Sequence, residues 1–192
     1  MNLAESAALK MAALEQGWEE TENSNDADLI LLNTCSVRLT AETRVMGRFA
    51  HYAALKKKGK AFTLVAAGYM AQRKCGSLKT EIPAVDYILG TSGRSFFPQI
   101  LKAAEQGQIA EETEEKPKFA FSSSHLEQGS YRSFIPILHG CNNFCSYCIV
   151  PYVRGREISR DPLDIIAEIH LVAEKGVREI TLLGQNVNSY YW

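Results

Sequence analysis

The sequence predicts an α/β chain: an amino-terminal doubly wound parallel sheet, then the opening of a second domain with the strand–loop–helix–strand order of an α/β barrel. Three observations carry that expectation. Short apolar runs at 28–33, 61–67 and 85–89 alternate with stretches of strong helix formers. An acidic, Ser-containing segment with a proline interrupts this rhythm after residue 106. Beyond it, one clear helical stretch stands between two further strand-like runs.

Residues 3–16 are rich in Ala, Leu, Glu and Lys, and Gly17 is a natural stop, so they read as a helix. The run at 28–33 (DLILLN) is continuously apolar, as a strand covered on both faces must be. Residues 40–58 give a second helix closed by Gly59, 61–67 and 85–89 two more strands, and 93–106 a further helix. Gly90-Thr91-Ser92-Gly93 lacks the third glycine of a dinucleotide fingerprint and reads as a plain strand-to-helix loop. Glu111, Glu112, Glu114, Glu115, Pro117 and Ser122-Ser123-Ser124 mark 107–130 as a solvated linker. The domains expected are therefore 1–106 and 131–192. In the second, 132–138 reads as a strand despite Pro136, which suits a strand start or an edge. Residues 162–175 form a helix with Asp161 as N-cap, Pro162 in its first turn and Gly176 as stop. A strand at 179–183 follows, and two strands alone make no stable sheet, so this domain reads as cut short.

Composition excludes several classes. The chain has 192 residues, 46% of them hydrophobic, with 21 basic and 22 acidic side chains and a net charge of −1. A globally basic nucleic-acid binder is thereby ruled out; any RNA must be held by local patches. No run of 18 apolar residues exists, so no membrane span is expected, and the first residues lack the basic head and apolar stretch of a signal peptide. A reducing cytoplasm follows as the expected location. Five cysteines, an odd number, then favour metal or redox chemistry over a disulfide framework.

Cys141-x-x-x-Cys145-x-x-Cys148 is the most informative motif. Three thiolates on one short loop can each reach a separate iron of a cubane cluster. A triplet without a nearby fourth cysteine leaves one iron open, which a cofactor-binding cluster requires. The loop also follows a strand, at the end where α/β barrels carry their chemistry. The competing reading is structural zinc, which favours two close cysteine pairs or a pair plus histidines. His139 is the only close histidine and is better placed as a strand-end residue than as a ligand.

The segment Cys141-Asn142-Asn143-Phe144-Cys145-Ser146-Tyr147-Cys148 resembles the radical S-adenosylmethionine superfamily pattern, including the aromatic Tyr147 before the last cysteine. The following Pro151-Tyr152-Val153-Arg154-Gly155-Arg156-Glu157-Ile158-Ser159-Arg160 is similar to the methylthiotransferase branch. So are Asn33-Thr34-Cys35-Ser36-Val37-Arg38 and Ala67-Gly68-Tyr69-Met70-Ala71-Gln72-Arg73 near the start. Leu183-Gly184-Gln185-Asn186-Val187-Asn188-Ser189-Tyr190 resembles the form found in enzymes acting on isopentenyl-type adenosine in tRNA.

This resemblance implies the first part of a radical S-adenosylmethionine partial (β/α) barrel. It implies a 4Fe–4S cluster on Cys141, Cys145 and Cys148, with S-adenosylmethionine on the open iron and a 5′-deoxyadenosyl radical as the product of one-electron reduction. It makes Tyr147, Gly184, Gln185 and Asn186 candidate cofactor contacts, the last three open equally to a plain loop role. Arg154, Arg156 and Arg160 are open to two roles: gripping RNA phosphate or the cofactor carboxylate, or pairing with nearby acids such as Glu157 and Asp161. The partners implied are tRNA and an electron donor such as flavodoxin or ferredoxin, with the protein a monomer. The family's second cluster uses three amino-terminal cysteines, of which Cys35 is matched. The first would fall two positions before Met1, and Tyr69 stands in place of the third. Cys75, six residues on, reads as incidental. That second cluster is therefore not expected to assemble normally. The expected function is methylthiolation at carbon 2 of a hypermodified adenosine beside the anticodon. The alternatives are methylthiolation of a ribosomal-protein aspartate, or an inactive, truncated iron–sulfur module.

Overall fold

The computed structural model describes residues 2–35, 39–91, 93–108, 121 and 130–192. Ser36, Val37, Arg38 and Ser92 of the motifs above lie outside the described residues, as does most of the expected linker. The chain forms two compact units, one of residues 12–119 and one that joins residues 1–11 to 120–192.

The larger unit is built on a parallel sheet. Helix α1 (Asn2–Leu14) lies mostly in the other unit; the larger one holds β1 (Leu29–Thr34), α2 (Leu39–Lys57), β2 (Thr63–Gly68), α3 (Tyr69–Arg73), α4 (Leu78–Glu81), β3 (Tyr87–Leu89) and α5 (Phe97–Glu105). The strands lie in the order β1-β2-β3, all parallel, with Leu29 opposite Thr63 and Thr34 opposite Gly68. Leu64 to Ala67 are buried on both faces of the central strand β2, which explains their unbroken apolar run. Leu64 and Ala66 pack against Phe49 and Tyr52 of α2 and against Met70, Ala71 and Leu78. Asp86 ties α2 to the sheet, accepting from the backbone N–H of Leu64 at 2.6 Å and pairing with Lys56.

Two expected outlines change. The helix expected over 93–106 opens as a 3-10 turn, Gly93–Phe96, and becomes α-helical only at Phe97, because Pro98 sits in the first helical turn. The short helices α3 and α4 were not foreseen, since fewer than two turns leave no periodic signal.

The second unit contains β4 (Arg132–Pro136), β5 (Leu138–His139), α6 (Val150–Arg154), β6 (Ile158–Ser159), α7 (Pro162–Glu174) and β7 (Glu179–Leu183). β4 and β7 are parallel, with α7 as the crossover. Asp161 caps α7 by accepting from the Leu163 N–H at 2.8 Å. Ile165, Ile169 and Val172 of α7 pack on Ile135, Ile137 and Leu138, a stripe with helical spacing. The strand expected over 132–138 is in fact broken. After Pro136 the chain donates Ile137 N–H to Leu183 O at 2.9 Å, then turns to pair Leu138 and His139 antiparallel with Ser159 and Ile158. No helix among the described residues is long and apolar enough to cross a membrane.

Candidate functional site

The cysteine loop leaves β5 and returns through α6 into β6, so the two-residue ladder β5–β6 closes its base. Gly140 makes the exit possible. Its φ of +77° is left-handed, and a Cβ there would collide with the carbonyl oxygen of Arg156. Cys141 N–H donates to Gly155 O at 3.3 Å, and Asn142 Oδ1 accepts from Glu157 N–H at 3.2 Å. Both arms of the loop are thus stitched together on either side of the first cysteine.

Further out, the loop opens to solvent. Cys141 is 8% exposed, Cys145 is exposed and Cys148 half-buried, and none of the five cysteines is in a disulfide. Cys148 N–H donates to Cys145 O at 2.9 Å, a tight turn that carries both outer thiols. Between them stands Tyr147, 90% exposed. Phe144 has φ +46°, a left-handed conformation that costs a non-glycine residue energy and tends to mark functional loops. Its ring is held by the Arg156 guanidinium, 4.4 Å from the centroid, and by the edge of Tyr152 at 6.0 Å.

The three arginines separate. Arg154 is fully buried and paired with Glu5 of α1, while its second amino group donates to His139 Nδ1 at 3.0 Å. Arg160 is buried on Glu168 of α7. Both take the structural, ion-paired role, but with carboxylates distant in sequence rather than with Glu157 and Asp161. Glu157 instead accepts from Ser189 Oγ at 2.6 Å, and Asp161 is the helix cap. Arg156 alone of the three is exposed. His139 is fully buried at the strand end, in the position the sequence suggested.

Gly184, Gln185 and Asn186 follow β7 directly. Gly184 lies against Leu138, within 3.2 Å for a Cβ, so this turn borders the strand that feeds the cysteine loop. Gln185 Oε1 is buried without a hydrogen-bond partner among the described residues. A buried carbonyl oxygen in that state is an acceptor awaiting a donor. Asn186 O accepts from Ser189 N–H at 3.0 Å. The Tyr190 hydroxyl donates to Arg160 O at 2.7 Å, fixing the end of the turn.

Among the described residues, no three Cys, His, Asp or Glu side chains are gathered as a site for a metal ion. The donor set on the loop fits an iron–sulfur cluster in kind: three thiols outside any disulfide, on a closed base.

A different geometry governs Cys35 and Tyr69. Thr34 and Gly68 are opposite each other, so Cys35 and Tyr69 leave adjacent parallel strands at their carboxyl ends. Thr34 Oγ1 donates to Ala67 O at 2.5 Å and accepts from the N–H groups of Met70 and Ala71 at 3.1 and 3.2 Å. Gly68, at φ +90°, leaves no room for a Cβ beside Asn33 Oδ1 and Thr34 O. Tyr69 is 5% exposed at the start of α3, and Cys75 is exposed beyond its far end. The role of Thr34 was missed; its only signal was a hydroxyl residue ending an apolar run.

Two family descriptions match the chain: an uncharacterized protein family, UPF0004, over residues 1–90, and the radical SAM superfamily over 135–191. Curated proteins named tRNA-2-methylthio-N(6)-dimethylallyladenosine synthase are similar along nearly all of it. That of Treponema pallidum (strain Nichols) is 48% identical over 99% of this chain and 44% of its own length. Those of Treponema denticola and Syntrophus aciditrophicus are 47% and 43% identical, covering 99% of this chain and 44% and 42% of themselves. The chain thus spans less than half the length of the curated relatives it matches.

Proposed function

We propose that this chain, which matches the radical SAM superfamily over residues 135–191 and the tRNA-2-methylthio-N(6)-dimethylallyladenosine synthases over less than half of their length, is the cluster-bearing part of a tRNA methylthiotransferase acting at carbon 2 of isopentenyl-type adenosine. The observation that carries the reading is the loop itself: three thiols between β5 and β6, within the family-specific flank that runs to Arg160. Cys141, Cys145 and Cys148 would hold a 4Fe–4S cluster. When bound, that cluster and S-adenosylmethionine supply reductive cleavage to a 5′-deoxyadenosyl radical. The protein's share is positioning. Tyr147, fully presented beside Cys148, and the Gly184-Gln185-Asn186 turn are the residues proposed to contact the cofactor. The unpartnered Gln185 Oε1 supports that role, because a cofactor amino group would supply its missing donor. Arg156, exposed beside the loop, is the residue of the three best able to meet a phosphate.

The finer architecture in this reading is a doubly wound amino-terminal domain over 1–106, a linker over 107–130, and the start of a partial (β/α) barrel over 131–192. tRNA as substrate, flavodoxin or ferredoxin as electron donor, a monomeric state and a cytoplasmic location complete it.

At the amino-terminal strand edge the residues do not fit a second cluster. Cys35 is there, but Tyr69 presents a phenol (pKa about 10 unperturbed) where a thiolate is needed. Cys75 follows six residues on, exposed beyond the far end of α3 from Tyr69. This favours a second reading, a chain that cleaves the cofactor without transferring sulfur. The test is anaerobic reconstitution followed by reduction with S-adenosylmethionine and tRNA carrying isopentenyl adenosine. Production of 5′-deoxyadenosine with a methylthio adduct on the nucleoside supports the first reading; 5′-deoxyadenosine alone supports the second. A colourless, zinc-loaded loop would overturn both.

A further inference from the structure

The first turns of α1 reach the cysteine loop. Residues 1–11 form one compact unit with 120–192, and Glu5 is buried there against Arg154. Arg154 ends α6, the returning arm of the loop, six residues after Cys148. Its other amino group meets His139, the last residue of β5 on the outgoing arm, two residues before Cys141. A guanidinium only donates, so His139 Nδ1 is the acceptor and the imidazole is held in one tautomer and one orientation. Glu5, Arg154 and His139 are all buried, and the Arg154 side chain is wholly shielded from solvent.

A buried guanidinium needs a carboxylate; without one it turns toward water and takes its element with it. Here that element is the return arm. The nearest acids in sequence are engaged elsewhere, Glu157 with Ser189 and Asp161 with the α7 N-terminus. Glu5 therefore answers the charge that lets Arg154 bridge the two arms. We propose that Glu5 is a positioning residue for the cysteine loop, acting through Arg154 and His139 to hold both arms in register and keep Cys141 covered.

The inference rests on the loop being the cluster site, but its test does not require a cluster. In the cluster-free, reduced chain, the alkylation rate of Cys141 is measured by peptide mass spectrometry, with amide exchange of α7 and β7 followed in parallel. In Glu5→Ala, Cys141 is expected to react at least about tenfold faster while α7 and β7 keep their protection. Glu5→Asp, which keeps the charge, is expected to recover part of the slow rate. Unchanged Cys141 reactivity would overturn the proposal. So would an equal loss of protection throughout α7 and β7, which would mark general loosening. If Glu5→Ala does not fold, Glu5→Gln retains an acceptor without the charge and is judged by the same two outcomes. Iron binding by the unaltered chain, measured separately, tells failure of the cluster reading from failure of this one.

Discussion

The cysteine loop and the Cys35–Tyr69 strand edge both leave strands at their carboxyl ends, an antiparallel strand in the first case and a parallel pair in the second, yet they are built on opposite principles. The loop is closed at its base by β5–β6 and open at its tip, where Cys145 and Tyr147 face solvent. Its polar groups bind its own two arms, leaving the thiols for something else. At the strand edge the hydrogen bonds tie the two strands to the start of α3. Thr34 Oγ1 makes three at once, Gly68 is pressed against Asn33 and Thr34, and the Tyr69 ring is buried. Under the proposed reading, position at a strand's carboxyl end is not sufficient for a cofactor site. What matters is whether donors there remain uncommitted and are chemically suited.

The largest expected effect breaks that comparison outright. The reconstituted chain should carry about four irons, those of one cubane cluster. Cys148→Ala should abolish the brown chromophore and bound iron nearly completely, because two thiolates on the loop cannot replace three. Cys35→Ala should leave both unchanged. Near eight irons in the unaltered chain, or a substantial loss in Cys35→Ala, would show that the strand edge holds a cluster after all.

A smaller effect sharpens the same contrast on the stability side. Thr34→Val keeps the shape of the side chain but strands two buried N–H groups at the start of α3. The cost should be about 1–3 kcal/mol, read as faster amide exchange in β2 and α3, with Thr34→Ser restoring most of it. Amide protection at the cysteine loop should not move. If Thr34→Val is neutral, the saturated-edge picture fails.

The two regions also differed in how much of them the sequence revealed. The triplet was legible because its cysteines are four and three residues apart, and spacing is what a sequence displays. The alternation of apolar runs and helix formers likewise announced β1, α2, β2, β7 and α7, whose burial patterns depend on local periodicity. What holds the loop was not legible. Glu5 and Arg154 lie 149 residues apart, and nothing near Arg154 in sequence marks Glu5 as its partner. The β5–β6 ladder is two residues long on each side, too short for any alternation, so 132–138 read as one strand. Of the two roles left open for the arginines, Arg154 and Arg160 take ion pairing, but proximity in sequence pointed to Glu157 and Asp161, which serve Ser189 and a helix cap.

The smallest effect concerns the turn after β7. The Tyr190 hydroxyl donates to Arg160 O, and its pKa is raised above the ordinary 10.0, first by burial and then by the negative charge of Asp161. A raised folded-state pKa means that the native state holds its proton longer than the unfolded chain. The resulting stabilisation is complete below pH about 10 and is lost as pH rises through the higher folded value. Tyr190→Phe deletes both this linkage and a hydrogen bond worth about 0.5–1.5 kcal/mol. The gap in urea midpoint between the two proteins should therefore be constant from pH 7 to 9 and shrink above 10. A gap that instead widened at high pH would mean the phenolate is welcomed there. The turn carrying Gly184, Gln185 and Asn186 would then be anchored by something other than this hydroxyl.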